Sequence, residues 1–254
     1  MNDPFKPGPS PTGEPPPHGV LDIGSVLKRS VRILGRNAPP FLLIAAVWTI
    51  PSIALEATYQ PHDEIFFRAA YDFLSVTFDL VLGGFATAMI VFGTLRDLRG
   101  RPAGTAESLL RGVATSSPAL GVIVVVSFII LLGTLALIVP GIILSLMFFV
   151  AVPVAVIEGR RIIDCLKRCA FLTSGNLLRI LAILLPVWLV PFALYWLVAQ
   201  VLEVFGLSAY ESSLIPFGLI NAAALSIEAV IATVVYHDLR IAKDGSDQIT
   251  TVFD

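Results

Sequence analysis

Charge is what this sequence has least of. Only 14% of its 254 residues are Asp, Glu, Lys or Arg, while 56% are hydrophobic. A soluble domain carries about 25% charged and about 45–50% apolar residues. A chain of this length can bury a sizeable core, but not this much apolar surface in water, so the excess is expected to face lipid. The net charge of −2 gives no electrostatic footprint for nucleic acid, which is not expected as a partner.

Cysteine and histidine are nearly absent. Cys165 and Cys169, beside Lys167 and Arg168, make no disulfide framework, and on a cytoplasmic segment they would be reduced thiols. His18, His62 and His237 are scattered, and His62-Asp63-Glu64 is too compact to converge unaided on one ion. Ser116-Ser117 has no visible base, and neither a phosphate-binding glycine loop nor a metal motif occurs. No catalytic residue, metal or cofactor is therefore assigned, and an enzyme is not expected. A secretory signal is lacking too. Residues 1–19 hold seven prolines and no apolar core segment, so 1–20 reads as a disordered leader.

What the chain does have is long apolar runs. Crossing about 30 Å of hydrocarbon takes about 20 apolar residues in a helix. The runs that qualify are roughly 38–55, 73–95, 119–139, 141–157, 180–202 and 214–236, within a membrane domain of 21–242 followed by a cytoplasmic tail, 243–254. The third and fourth are fused into 39 uncharged residues, Ala119 to Ile157. At about 1.5 Å per residue that is roughly twice one span. Val139-Pro140-Gly141 at its centre predicts a hairpin turn, a re-entrant pair being the alternative.

Cations orient the spans. Sixteen of the seventeen Lys and Arg fall before span one, between two and three, between four and five, or after six, leaving Arg68 alone on the other side. The positive-inside rule then places both termini in the cytoplasm. The expected fold is all-α and polytopic, six transmembrane helices in three inside-to-inside hairpins. Glu56, Asp63, Glu64, Asp72, Glu203 and Glu211 fall outside, either as a cation-attracting vestibule or because acids there are tolerated.

Two cytoplasmic segments have amphipathic helical spacing, before spans one and five. Ile23, Val26, Leu27, Ser30, Val31 and Leu34 oppose Lys28, Arg29, Arg32 and Arg36 in the first. Ile162, Cys165, Leu166, Cys169 and Leu172 oppose Arg161, Asp164, Lys167 and Arg168 in the second. Such helices lie in the interface with Lys28, Arg29, Lys167 and Arg168 towards lipid headgroups, anionic ones included, or serve as structural feet for the following span. The cysteine pair is open to palmitoylation or metal binding, but no further Cys or nearby His completes a zinc set, so packing is expected.

The chain also repeats itself. Leu27-Lys28-Arg29-Ser30 corresponds to Leu166-Lys167-Arg168-Cys169, and Asn37 to Asn176. Trp48 and Pro51 correspond to Trp188 and Pro191, and Asp97-Leu98-Arg99 to Asp238-Leu239-Arg240. Both units run from inside to inside, so they are expected to be parallel repeats. Pro51 and Pro191 then break spans one and five at equal depth, either as packing kinks or as a transport site.

Asp79 falls within span two and Glu228 within span six, each costing about 2.5–3.5 kcal/mol to insert near mid-bilayer. No Lys, Arg or His inside a span can pair with them. Both sit on small-residue stripes: Asp79, Gly83, Ala86 and Thr87; and Asn221, Ala224, Glu228 and Ala232. These faces are expected to point into the bundle, as a proton or cation relay or as interhelical hydrogen bonds. Glu158, at the inner end of span four, can reach water or a neighbouring arginine.

Val139-Pro140-Gly141, Val152-Pro153, Glu158-Gly159, Cys165 through Asn176, and Tyr236-His237-Asp238-Leu239-Arg240 carry a resemblance. Over about residues 20–243 the chain resembles a broad group of bacterial six-helix membrane proteins that includes the membrane domain of some glycerophosphoryl diester phosphodiesterases. Cys169 stands where that group usually has a small residue. The resemblance implies a fold, and without the hydrolytic domain it implies no hydrolase activity. Two functional readings follow: a non-enzymatic membrane module supporting envelope or lipid processes, or a small-solute or ion transporter using Asp79 and Glu228.

Overall fold

The computed structural model describes residues 21–57, 65–98, 105–206 and 209–244. All regular structure among them is helical: α1 (Ile23–Ala57), α2 (Ile65–Leu98), α3 (Thr105–Ala136), α4 (Ile138–Phe148), α5 (Ala151–Glu158), α6 (Ile162–Thr173), α7 (Leu177–Val204) and α8 (Ala209–Asp244). Five stretches are long and apolar enough to cross a membrane: Ile23–Leu55, Val81–Leu98, Ile138–Glu158, Leu177–Val204 and Ile215–Asp244. Ala119–Thr134 within α3 is a shorter apolar helix. This is the make-up of a multi-pass helical membrane protein, in which every backbone group must be paired within its own helix. The leader, the tail beyond 244, Arg68, and the side chains of Glu56, Asp63, Glu64, Asp72 and Glu211 lie outside the described residues.

α2 and α8 form the centre. They pack on one another, α1 lies against both, α3 lies against α2, and α7 lies against α8. Alanines at the contacts, Ala86 and Ala88 on α2 and Ala229 and Ala232 on α8, are buried and let the backbones approach. α1 and α7 are the least buried spans. Leu43, Val47 and Ile50 on α1, and Phe192, Trp196 and Val204 on α7, stand exposed, as side chains in contact with lipid must.

The first amphipathic segment is not a separate helix. It runs into span one across a kink at Asn37, whose backbone leaves the helical region (φ −118°, ψ 15°). Pro39 and Pro40 follow, and their missing N–H groups remove two helical hydrogen bonds there. The Asn37 side chain caps the carbonyl four residues before it, Nδ2 donating to Ile33 O at 3.1 Å. The buried face also differs from expectation: Ile33 and Asn37 join Val26 and Ser30, while Val31 is exposed, because the helix is turned about 100° per residue and Val31 falls beyond the contact. The second amphipathic segment, α6, is a distinct helix that buries Cys165, Cys169 and Leu172 as expected. It is set off from α7 by Gly175 in the left-handed region (φ 81°) and by Asn176 (φ −121°, ψ 8°). Asn37 and Asn176 thus share one backbone conformation at the two corresponding breaks.

The turn in the long apolar stretch falls at Leu137 and not at Val139-Pro140-Gly141. Pro140 sits in the first turn of α4, where a helix has no use for its missing N–H. Gly141 serves the hairpin differently: a Cβ on it would lie 2.2 Å from Thr134 Oγ1 and 2.8 Å from Thr134 Cα. Only a glycine lets α3 and α4 approach so closely.

The apolar stretch Ile138–Glu158 is itself broken. α4 stops at Phe148 and α5 starts at Ala151, with Phe149 and Val150 between and Pro153 in the first turn of α5. Freed carbonyls at such a break need donors inside a membrane. α6 brings donors to it: the one proton of Thr173 Oγ1 is shared between Cys169 O of its own helix at 2.9 Å and Met147 O at 3.3 Å, and Cys165 Sγ donates to Ala151 O at 3.6 Å. The prolines expected to break spans one and five do not do so. α1 continues helically through Pro51, and α7 runs unbroken through Pro186 and Pro191. A proline φ is itself helical, and one lost hydrogen bond per site is absorbed by curvature.

Candidate functional site

Asp79 and Glu228 meet at one cleft, of about 270 Å³, between α2, α5 and α8. Asp79, Gly83 and Thr87 come from one side of α2, spaced by four residues so that they share a face. Leu225, Glu228 and Ala232 come from α8, and Phe149, Val152 and Pro153 from the break between α4 and α5. The glycine and alanine leave the space, and the broken span supplies one wall. Two carboxyl groups face an otherwise largely apolar cleft, and among the described residues no Lys, Arg or His lines it. Such a cleft suits a group that brings its own positive charge or a proton.

The two acids differ in setting. Glu228 is half-buried, and the indole of Trp188, the tryptophan of the second repeat unit, lies within hydrogen-bonding reach of it. Asp79 is exposed at the mouth of the cleft, so it does not point wholly into the bundle as expected. Asn221 departs further: it is exposed and lies outside the cleft. It sits seven residues before Glu228, and the α8 lining of the cleft begins only at Leu225, one turn further along the helix. Trp48, the counterpart of Trp188, instead stacks on Phe85 with ring centres 5.4 Å apart. Pro51 and Pro191 are half-buried and take no part in the cleft.

A second constellation lies beyond the end of α5. Glu158, whose side chain is 6% exposed, accepts hydrogen bonds from Arg160 Nε (2.5 Å), Arg168 Nε (3.2 Å) and the Tyr236 hydroxyl (2.9 Å). Arg168 also grips Asp244 with both terminal nitrogens, Nη1 at 3.1 Å from Oδ1. Burial alone would lower the Arg168 pKa, but its hydrogen bond to Asp244 and the Glu158 charge hold it above the ordinary arginine value. Arg240 Nη1 donates to the Tyr236 hydroxyl at 3.1 Å. Lys243 caps the end of α6 through Phe171 O and Ser174, and lies 4.8 Å over the Phe171 ring. The Asp residues of the two Asp-Leu-Arg motifs both face α1: Asp238 pairs with Arg29, and Asp97 lies 3.8 Å from Arg36.

The basic residues thus divide in two. Lys28 and Lys167 are exposed, as headgroup contact requires, whereas Arg29 and Arg168 point inward and are ion-paired. An amphipathic pattern separates apolar from charged faces but does not tell a solvated cation from one that reaches a distant carboxylate. The carboxylates here are 209 and 76 residues away. Glu158 pairs with arginine, as one of its two options had it, and is buried away from water. The cysteines are buried free thiols. Their mutual hydrogen bond and burial push Cys169 far above a free thiol, so it is held neutral and inert. Among the described residues no three His, Cys, Asp or Glu converge to hold a metal ion.

Compared with known proteins, the chain matches no family model, no curated protein and no solved structure.

Proposed function

We propose that this chain is a non-catalytic carrier of the bacterial cytoplasmic membrane. In this reading it has six spans and cytoplasmic termini, and it binds a small, positively charged or protonated solute between Asp79 and Glu228. The observation that carries the reading is the cleft: it joins two membrane-embedded acids to a helix break, with no cation in its lining. A helix interruption at membrane depth is tolerated where backbone lines a cavity or is buried in protein, and transport sites are built at such interruptions. The equal backbone conformations of Asn37 and Asn176, with α1 and α7 outside and α2 and α8 central, support two parallel repeats. The resemblance to the six-helix bacterial group agrees with this architecture.

The test is flux of the protonophore-sensitive kind, proton uptake or cation exchange, in proteoliposomes. Asp79→Asn together with Glu228→Gln is expected to abolish flux while leaving thermal stability in detergent nearly unchanged, because an amide keeps a hydrogen bond but does not titrate in the working range. Unchanged flux in the double variant would falsify the carrier reading. The exposed Lys28 and Lys167 favour a second reading, a membrane module docked on anionic lipid, which would then stand.

The orientation has its own check. A cysteine at Glu203, exposed at the end of α7, is expected to react with an impermeant thiol reagent from outside intact cells. One at Arg161, exposed before α6, is expected to stay unreacted until the membrane is opened. Reaction of the Arg161 variant from outside would overturn the two-sided scheme.

A further inference from the structure

α5 touches both constellations. It is eight residues long, about 12 Å, and neither of its ends continues into another helix. At its start lies the Phe149–Val150 break, and Phe149, Val152 and Pro153 form a wall of the cleft. At its end Gly159 turns the chain in the left-handed region (φ 58°), with open space around its Cβ position. A short rigid helix between two pivots can swing as a body. Its buried face, Val154, Ala155 and Ile157, packs in the core against α2 and α3, and its polar restraint is Glu158, its last residue, tied to Arg168 of α6 and to Tyr236 of α8.

The ties close a loop across the cleft. α8 holds Tyr236 against Glu158, and eight residues earlier presents Glu228 on the cleft wall opposite Val152 and Pro153. Asp244, further along α8, holds Arg168 in place from the other side. α6 in turn braces the break through Thr173 and Cys165. Two of the cleft's walls, α5 and α8, are thus fastened together at one end by a buried carboxylate.

We propose that the Glu158 cluster is a latch that holds the cleft narrow, and that its release lets α5 swing away from α8 and widens the cleft. The latch needs the cleft only as a space, so it stands or falls independently of whether a solute is carried. Arg160 is the exposed member of the cluster, its side chain 47% accessible, and is the point from which a cytoplasmic anion can compete for the cluster.

The experiment places a reporter thiol in the cleft, Thr87→Cys, in the full chain in detergent and in lipid. Its rate of reaction with a small membrane-permeant thiol reagent is followed by mass spectrometry. Glu158→Gln, which removes the charge but keeps a hydrogen-bonding oxygen, is expected to raise that rate at least fivefold. Tyr236→Phe, a milder variant that removes one hydroxyl, is expected to raise it about twofold and serves if Glu158→Gln does not fold. Arg29→Gln breaks the Arg29–Asp238 pair, which does not touch α5, and is expected to leave the rate unchanged. The native Cys169, fully buried on α6, is expected to stay unreacted throughout. An unchanged reporter rate in the latch variants overturns the proposal. So does an equal rise in Arg29→Gln, or reaction of Cys169, since each means general loosening and not a swing of α5.

Discussion

Arg168→Met is expected to destabilise the folded bundle by about 3–5 kcal/mol, the cost of stripping the partner from a buried ion pair. Arg168 is only 13% exposed in its side chain and bonds two carboxylates at once, Glu158 at 6% and Asp244 at 16%. Methionine fills much of the same volume but leaves both acids without their shared donor. The neighbouring Lys167 is exposed, so Lys167→Met is expected to change stability by less than about 0.5 kcal/mol. Thermal or denaturant unfolding of both variants in one detergent measures the contrast. Equal effects from the two would mean that Arg168 is solvated like its neighbour and that the cluster does not hold α6 to α8. Replacing the trio together, Glu158→Gln and Asp244→Asn with Arg168→Met, is expected to recover part of the loss, because an uncompensated charge is costlier than none.

Gly141→Ala is expected to cost about 3 kcal/mol or more, a large penalty for one methyl group. The added carbon would stand 2.8 Å from the Cα of Thr134, and a backbone atom cannot rotate aside. The hairpin must open, which shifts α4 and with it the break and the brace from α6. Gly35→Ala provides the contrast. Nothing lies within 4 Å of the Cβ position of Gly35, and alanine is the better helix former by roughly 0.5–1 kcal/mol, so this variant is expected to be slightly more stable. If Gly141→Ala melts with the parent protein, α3 and α4 are not in contact at this point.

The opposite behaviour of two helical glycines marks the limit of reading by residue type. Gly141 stands out beside Pro140 as a turn signal, but nothing in the sequence marks it as a contact. One is a free surface position and the other an interhelical contact, and the difference lies in a residue seven positions away across a turn. The same holds for the prolines. Pro51 and Pro191 stand out by position and pairing, yet the helices pass through them. The break lies instead beside Pro153, which resembles any other proline in an apolar run until α6 is seen to satisfy the carbonyls on either side of it.

The sequence by itself determined the class of the molecule. Shortage of charge and runs of apolar residues force helices long enough to cross a membrane, because unpaired backbone groups in hydrocarbon cost more than any side-chain preference can return. It also determined most of the buried face of α6, where Cys165, Cys169 and Leu172 follow from spacing while Ile162 stands exposed, and the presence of two acids in apolar runs without a cation. Periodicity and composition are local quantities, and these features are local. Only the tertiary structure decided that Asp79 and Glu228 share a cleft while Asn221 does not, that Arg168 is clamped while Lys167 is free, and that the broken helix pair α4 and α5 connects the two. Each of those depends on which helices come side by side, and that is set by a few close contacts and long-range ion pairs that a pattern along one helix does not contain.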